Sequence, residues 1–112
     1  MKENEAYVHS HISSLLGEKL HTLDRGKPFT VDYLHRSLII ITTSTGAPRN
    51  VPYLGTIDAY NHIKKHGKLT RTEIAEQNYT IQNTAYIAAI LASFPEIDYT
   101  TGPITLFLKP KD

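Results

Sequence analysis

The side chains best suited to chemistry in this chain are cations and rings set close together. Arg49, Lys64, Lys65, Lys68 and Arg71 are interleaved with Tyr53, Tyr60, His62 and His66. Lysine and arginine strung along a surface can follow the phosphates of a nucleic-acid strand, and exposed rings between them can stack on unpaired bases. The same residues also fit a plainer arrangement, with Tyr60 in the core and the lysines solvating a helix end. His62 and His66 stand four apart, the spacing of two side chains on one helical face, and His9 and His11 make a second pair. Either pair could begin a metal site. Such a site needs three or four convergent ligands, and no cysteine or His-Glu-x-x-His run supplies the others. No metal is expected. Ser10, Ser13, Ser14, Ser37, Ser44 and Ser93 lack the strand-turn-helix setting of an activated nucleophile. Asp32 and Asp58, the acids of the basic segment, have no companions that would make them a nuclease metal pair. A non-catalytic protein is expected.

The charge is distributed unevenly. The formal net charge of the 112 residues is +1, yet residues 25–71 hold eight Lys or Arg against two Asp, a net +6. Residues 1–24 sum to −2, residues 72–108 to −4 with no Lys or Arg, and the last four residues to +1. A basic middle between acidic flanks points toward a polyanionic partner. The length suits one domain, with residues 1–54 as a helical extension carrying a strand and loop, and 55–109 as the core unit. A 21% charged fraction and a mean hydropathy of −0.30 exclude a disordered chain. The absence of cysteine excludes disulfide scaffolds, Cys-ligated zinc, thiolate chemistry and iron–sulfur clusters. No apolar run approaches the roughly 20 residues of a membrane span, and the polar start Met1–Glu5 lacks the apolar stretch of a secretory leader. A cytoplasmic protein without a membrane partner is expected.

The elements that must position these residues follow from periodicity. Val8, Ile12, Leu15, Leu16, Leu20 and Leu23 lie at helical steps and predict a first helix over 7–22, stopped by Asp24-Arg25-Gly26-Lys27-Pro28. Thr30 can cap a second short helix through Arg36, and the β-branched run 38–43 predicts a strand. Residues 44–55 predict an extended loop or edge strand. A helix from 55 or 56 then buries Ile57, Ala59, Tyr60 and Ile63 and ends at Gly67, with cations in its last turn complementing the dipole. Thr70-Arg71-Thr72-Glu73 has the form of a capping box opening a short helix to about Gln77. Asn83 or Thr84 starts a third helix, apolar nearly all round, and residues 97–108 alternate as a hairpin after Pro95.

The stretch Ile57–Ile63, the turn and capped segment Gly67–Ala75, the helix Ala85–Leu91 and the hairpin strands Pro95–Tyr99 and Pro103–Leu108 together resemble the winged-helix form of the helix-turn-helix superfamily. The resemblance covers roughly half of the chain, about residues 56–108. The expected fold is α+β, mainly helical, a winged helix-turn-helix domain with an N-terminal helical extension and a short extra strand. The family places its third helix in the major groove, but this third helix has no Lys or Arg. The implied nucleic-acid contacts therefore pass to Arg49, Tyr53, His62, Lys64, Lys65, Lys68 and Arg71, with Gln82 and Asn83 able to reach base edges. The resemblance implies a protein that holds single-stranded or non-specific DNA by backbone and stacking contacts, as an accessory to replication, recombination or mobile-element maintenance. The alternative is a protein-protein adaptor, homodimeric or part of a larger replication or transcription complex, docking through exposed Ile87, Ile90 and Leu91. The stretch Thr42–Pro52 is also similar to the phosphate-side loop of split-barrel flavin or deazaflavin reductases. Those folds continue as barrel strands where this sequence turns helical, and no cofactor is expected.

Overall fold

A computed structural model describes residues 2–35, 37–80 and 82–110. Arg36, Lys111 and Asp112, counted in the charges above, lie outside the described residues. Helix α1 (Glu5–Ser14) leads into four strands, β1 (Lys19–His21), β2 (Pro28–His35), β3 (Leu38–Thr42) and β4 (Pro48–Pro52). Then come α2 (Tyr53–His66), β5 (Lys68–Thr70), α3 (Arg71–Glu76), α4 (Thr84–Ala92), β6 (Ile97–Thr100) and β7 (Thr105–Leu108). The expectation of a mainly helical chain is overturned. Helix makes up 36% and strand 31%, and β1-β2-β3-β4 form an antiparallel four-stranded sheet where a helical extension with one strand was expected.

Two misreadings account for the difference. The apolar stripe from Val8 to Leu23 is inward-facing throughout most of its length, but only its first part is helix. Val8 and Ile12 are buried on α1, Gly17 takes a φ of +83° that ends the helical path, and Leu20 continues from β1 opposite Phe29. Helical steps of three and four cannot distinguish one long helix from a short helix followed by a strand that returns to the same core. The segment expected as a capped helix after Thr30 is instead β2. Phe29, Thr30, Val31 and Tyr33 favour a pleated, half-buried surface, and Phe29 and Val31 alternate inward. Thr30 and Thr42 donate their hydroxyls to the Asp32 carboxylate across β2 and β3, in place of a helix cap. A bulge between Val31 and Tyr33 then shifts the alternation, which leaves Tyr33 facing solvent.

The second half keeps the expected order of helix, capped short helix, apolar helix and hairpin, but α2 starts at Tyr53 instead of 55 or 56 and an unexpected strand, β5, separates it from α3. Gly67 closes α2 at φ +86°, a conformation for which glycine has no steric penalty. Thr70 accepts the Glu73 amide at 3.1 Å, and Glu73 accepts the Thr70 amide at 3.0 Å, completing the capping box. Strands β5, β7 and β6 pair antiparallel in that order, with β7 in the centre.

One hydrophobic cluster runs through both halves, including Val8, Phe29, Ile41, Ile57, Ile90 and Leu106. Its middle is α4. Ile87, Ala88, Ala89, Ile90 and Leu91 are all buried, and Tyr86 meets Phe29 of β2 edge-on with ring centroids 5.1 Å apart. Arg71 ties the turn after β1 to this region, donating from Nη1 to Asp24 and from Nε to Thr84 Oγ1, both at 3.0 Å. The apolar third helix is therefore buried among α2, α3, β6, β7 and β1 and offers neither a groove-reading face nor the exposed Ile87, Ile90 and Leu91 of a docking surface.

Candidate nucleic-acid interface

The outer face of α2 is polar and open. Helix α2 turns Ile57, Tyr60 and Ile63 into the core, so Asp58, Asn61, His62, Lys65 and His66 recur at the spacing of one continuous outer stripe. The chain between α3 and α4 lies along that stripe. Gly55 permits the approach, since a Cβ there would stand 2.0 Å from the Tyr79 carbonyl oxygen. The Tyr79 hydroxyl meets His62 Nδ1 at 3.0 Å, and Asn83 Nδ2 donates to the Asn50 carbonyl at 2.8 Å. The connection is thus held by α2 near its middle and by β4 near its end.

Between these elements run two adjoining clefts that share Asp58 and Tyr79 as walls. One, of about 490 Å³, is lined by Asn50, Gly55, Asn78, Thr80, Gln82 and Asn83 among others. The next, of about 370 Å³, continues past Asn61, His62, Lys65, His66 and Gln77. Amides dominate one part of the groove and cations the other. Lys64 borders a further cleft of about 420 Å³ with Lys65, Asn61, Asn4 and Glu3. Lys68 follows on β5, exposed and within electrostatic reach of Glu73.

Burial lowers the proton affinity of His62; the Glu73 carboxylate partly opposes that shift and neighbouring His66 adds to it. Backbone hydrogen bonding at Thr70 is the largest influence holding Glu73 below the ordinary carboxylate range, against the effect of its own burial. Asp58 accepts from Lys2 Nζ at 2.9 Å, which neutralises the acid of the groove.

The residues expected at the site divide accordingly. His62, Lys65, Gln82 and Asn83 line the groove, Lys64 stands beside it, and Lys68 lies just past the end of α2. Arg49 is exposed on β4, next to Asn50. Arg71 is elsewhere, in a cleft of about 520 Å³ with Asp24, Thr84 and Pro103. Tyr53 is buried with its hydroxyl 3.1 Å from His9 Nδ1. Tyr60 is buried and donates to Glu96 Oε2 at 2.7 Å, while Tyr7 donates to the other oxygen of the same carboxylate. Neither Tyr53 nor Tyr60 presents a face to a base. The rings that remain near the cations are His66, which is exposed, and the partly buried His62 and Tyr79. Asn50, Asn61, Gln77, Asn78 and Tyr79 were not among the expected site residues. Their signal was present in the helical spacing of positions 58, 61, 62, 65 and 66 and in the amide-rich run from Gln77 to Asn83.

His9 and His11, the other histidine pair, bond Tyr53 and Ser93. Among the described residues no group of three or more His, Asp or Glu is arranged to hold a metal ion, and no helix is long and apolar enough to cross a membrane. No family model matches the sequence, and no curated protein and no solved structure is significantly similar to it.

Proposed function

We propose that this protein binds nucleic acid without catalysing a reaction, gripping phosphates with Lys64, Lys65 and Lys68 and seating the strand along α2. The observation that carries this reading is the exposure of these three cations around the C-terminal end of α2, where Lys65 lines the open polar groove and Lys64 borders the adjoining cleft. The negative pole at the end of α2 amounts to roughly half a charge, so three lysines outweigh it. Burial of α4 supports contact through α2 rather than through the helix that a winged-helix protein inserts into the major groove. The winged-helix resemblance itself draws support from the order α2-β5-α3-α4-β6-β7 and from the central place of β7 between β5 and β6.

Titration of labelled single- and double-stranded oligonucleotides across a salt series tests this function. The logarithm of the association constant should fall linearly with the logarithm of salt concentration. Replacing Lys64, Lys65 or Lys68 by Ala should reduce the slope for a single strand by about 0.7 each. Absence of binding to either form at low salt would overturn the proposal.

A further inference from the structure

We infer that the outer face of the four-stranded sheet is a stacking platform for unpaired bases, centred on Tyr33 and continuous with the groove along α2. The inference rests on the nucleic-acid reading above and extends it to a second surface. Tyr33 is 67% exposed. Other tyrosines are occupied: Tyr53 and Tyr60 are buried, Tyr79 meets His62, and Tyr86 packs on Phe29. A regular β2 would not hold the Tyr33 ring in solvent. Phe29 and Val31 face the core, so unbroken alternation would send residue 33 inward as well. The bulge between Val31 and Tyr33 inserts one residue and turns the ring to the other face. Re-aiming a side chain beside a functional site is a recurrent use of such bulges.

The strand register fixes what surrounds the ring. Tyr33 stands opposite Ile40 of β3, and Ile40 stands opposite Asn50 of β4. This row is on the outer face, because Leu34, Ile39 and Val51, which alternate with it, pack on the core. The two β4 residues that wall the groove, Asn50 and Pro52, are the two that alternation directs to this same face. A strand lying in the groove past Lys65 and His66 therefore meets the sheet at Asn50, and Tyr33 is two strand spacings farther, about 10 Å. Lys19 of β1 is exposed on the same face opposite Thr30, while the Asp32 carboxylate accepts from the hydroxyls of Thr30 and Thr42. A polar surround with a cation suits a phosphate-bearing chain better than an apolar docking partner. An exposed ring stacks on any base, since every base has a π-face, so the platform takes unpaired bases without reading their sequence. In a duplex those faces are covered by the neighbouring pairs.

The test measures binding of a labelled single strand of about 16 nucleotides, long enough to span groove and sheet, at one low salt concentration. Tyr33→Ala should weaken binding about fivefold or more and leave the salt slope unchanged, because no cation is removed. Tyr33→Phe should stay within about twofold of the unaltered protein, since the ring stacks and the hydroxyl does not. The chain has no tryptophan, so Tyr33→Trp supplies a lone reporter. Its fluorescence should fall when the single strand binds and hold steady with a duplex of the same length. Unchanged affinity in Tyr33→Ala, equal losses in Tyr33→Ala and Tyr33→Phe, or steady fluorescence of Tyr33→Trp with the single strand would each overturn the platform while phosphate binding along α2 stood. Self-association that Tyr33→Ala abolishes with strand affinity intact, read by sedimentation, would give the face to a second copy and overturn it too. Failure of the unaltered protein to bind any oligonucleotide at low salt would overturn both readings.

Discussion

Helices α2 and α4 adjoin the same core and meet opposite surroundings. Helix α4 has no charged residue, and its five positions Ile87 to Leu91 are all buried. An apolar helix of this kind has no solvent face to offer, and α3, α2, β6, β7 and β1 pack around it. Helix α2 is built with two sides, one burying Ile57, Tyr60 and Ile63 and the other presenting Asp58, Asn61, His62, Lys65 and His66. The difference shows how a position in the element order can mislead about function. The third helix of the second half, α4, is buried among its neighbours, and the first, α2, is the one that presents a polar face to solvent.

The sharpest way to break this comparison is to damage α4. Leu91→Ala removes a fully buried side chain and should cost about 2–5 kcal/mol of stability, read as a lower urea midpoint. Oligonucleotide affinity of the molecules that remain folded should not change. A variant of normal stability with altered affinity would make α4 part of the interface and remove the contrast.

Gly55→Ala strikes the α2 side. Alanine would improve the helix by roughly 1 kcal/mol on propensity, but its Cβ would lie 2.0 Å from the Tyr79 carbonyl oxygen. The 77–83 connection must move, and overpacking of this kind typically costs about 1–3 kcal/mol. The expected outcome is weaker oligonucleotide binding with unchanged helical content by circular dichroism, together with displaced NMR signals from Tyr79 and His62. Full binding by this variant would mean that the groove is not the contact surface.

A smaller effect is expected at Arg71, which the sequence alone groups with the phosphate-binding cations. The structure pairs it with Asp24, both side chains being over 30% exposed, and with Thr84. A solvent-exposed ion pair contributes about 0–1 kcal/mol. Arg71→Ala should therefore lower stability by about 1 kcal/mol or less and leave the salt dependence of oligonucleotide binding as it is. A slope reduced as far as that of Lys65→Ala would return Arg71 to the interface.

The two halves differ in how much of them is legible in sequence, for a physical reason. From α2 onward several boundaries are written locally: Gly67 in a left-handed cap, Thr70 and Glu73 in reciprocal bonds, and Pro95 just past an apolar helix. In the first half the decisive contacts are distant. Leu20 takes its place by pairing with Phe29, and Asp32 by accepting from Thr30 and Thr42, so a helical spacing survives in the sequence although strands carry part of it. The site divides the same way. The lysines around the end of α2 were visible as a charge cluster, whereas the groove depends on a backbone approach at Gly55 that no local pattern encodes. Tyr53 and Tyr60 sit within that cluster in sequence and point the other way in space, because α2 turns them into the core.

The finest test concerns the contact that fastens the connection to α2. His62 holds the Tyr79 hydroxyl at Nδ1, and burial is the main cause that keeps its proton affinity below the ordinary value of 6.5. The folded protein therefore binds fewer protons at this site than the unfolded chain does. Its contribution is complete above the unfolded value and is lost as pH falls from that value through the lower folded one. His11 is lowered by burial too, but it sits on α1 against Ser93, away from the groove. Asp24, Glu73 and Glu96 are held below the carboxylate range, so their contributions disappear only in more acidic solution. Between about pH 7.5 and 5.5 both His62 and His11 should thus contribute to a decline in urea midpoint. His62→Gln should flatten its share and should also flatten any loss of oligonucleotide binding that comes from release of the 77–83 connection. His11→Gln should flatten only the stability curve. Superimposable binding profiles for His62→Gln and the unaltered protein would show that the Tyr79 contact does not govern the groove, and would leave Gly55 as the feature that shapes it.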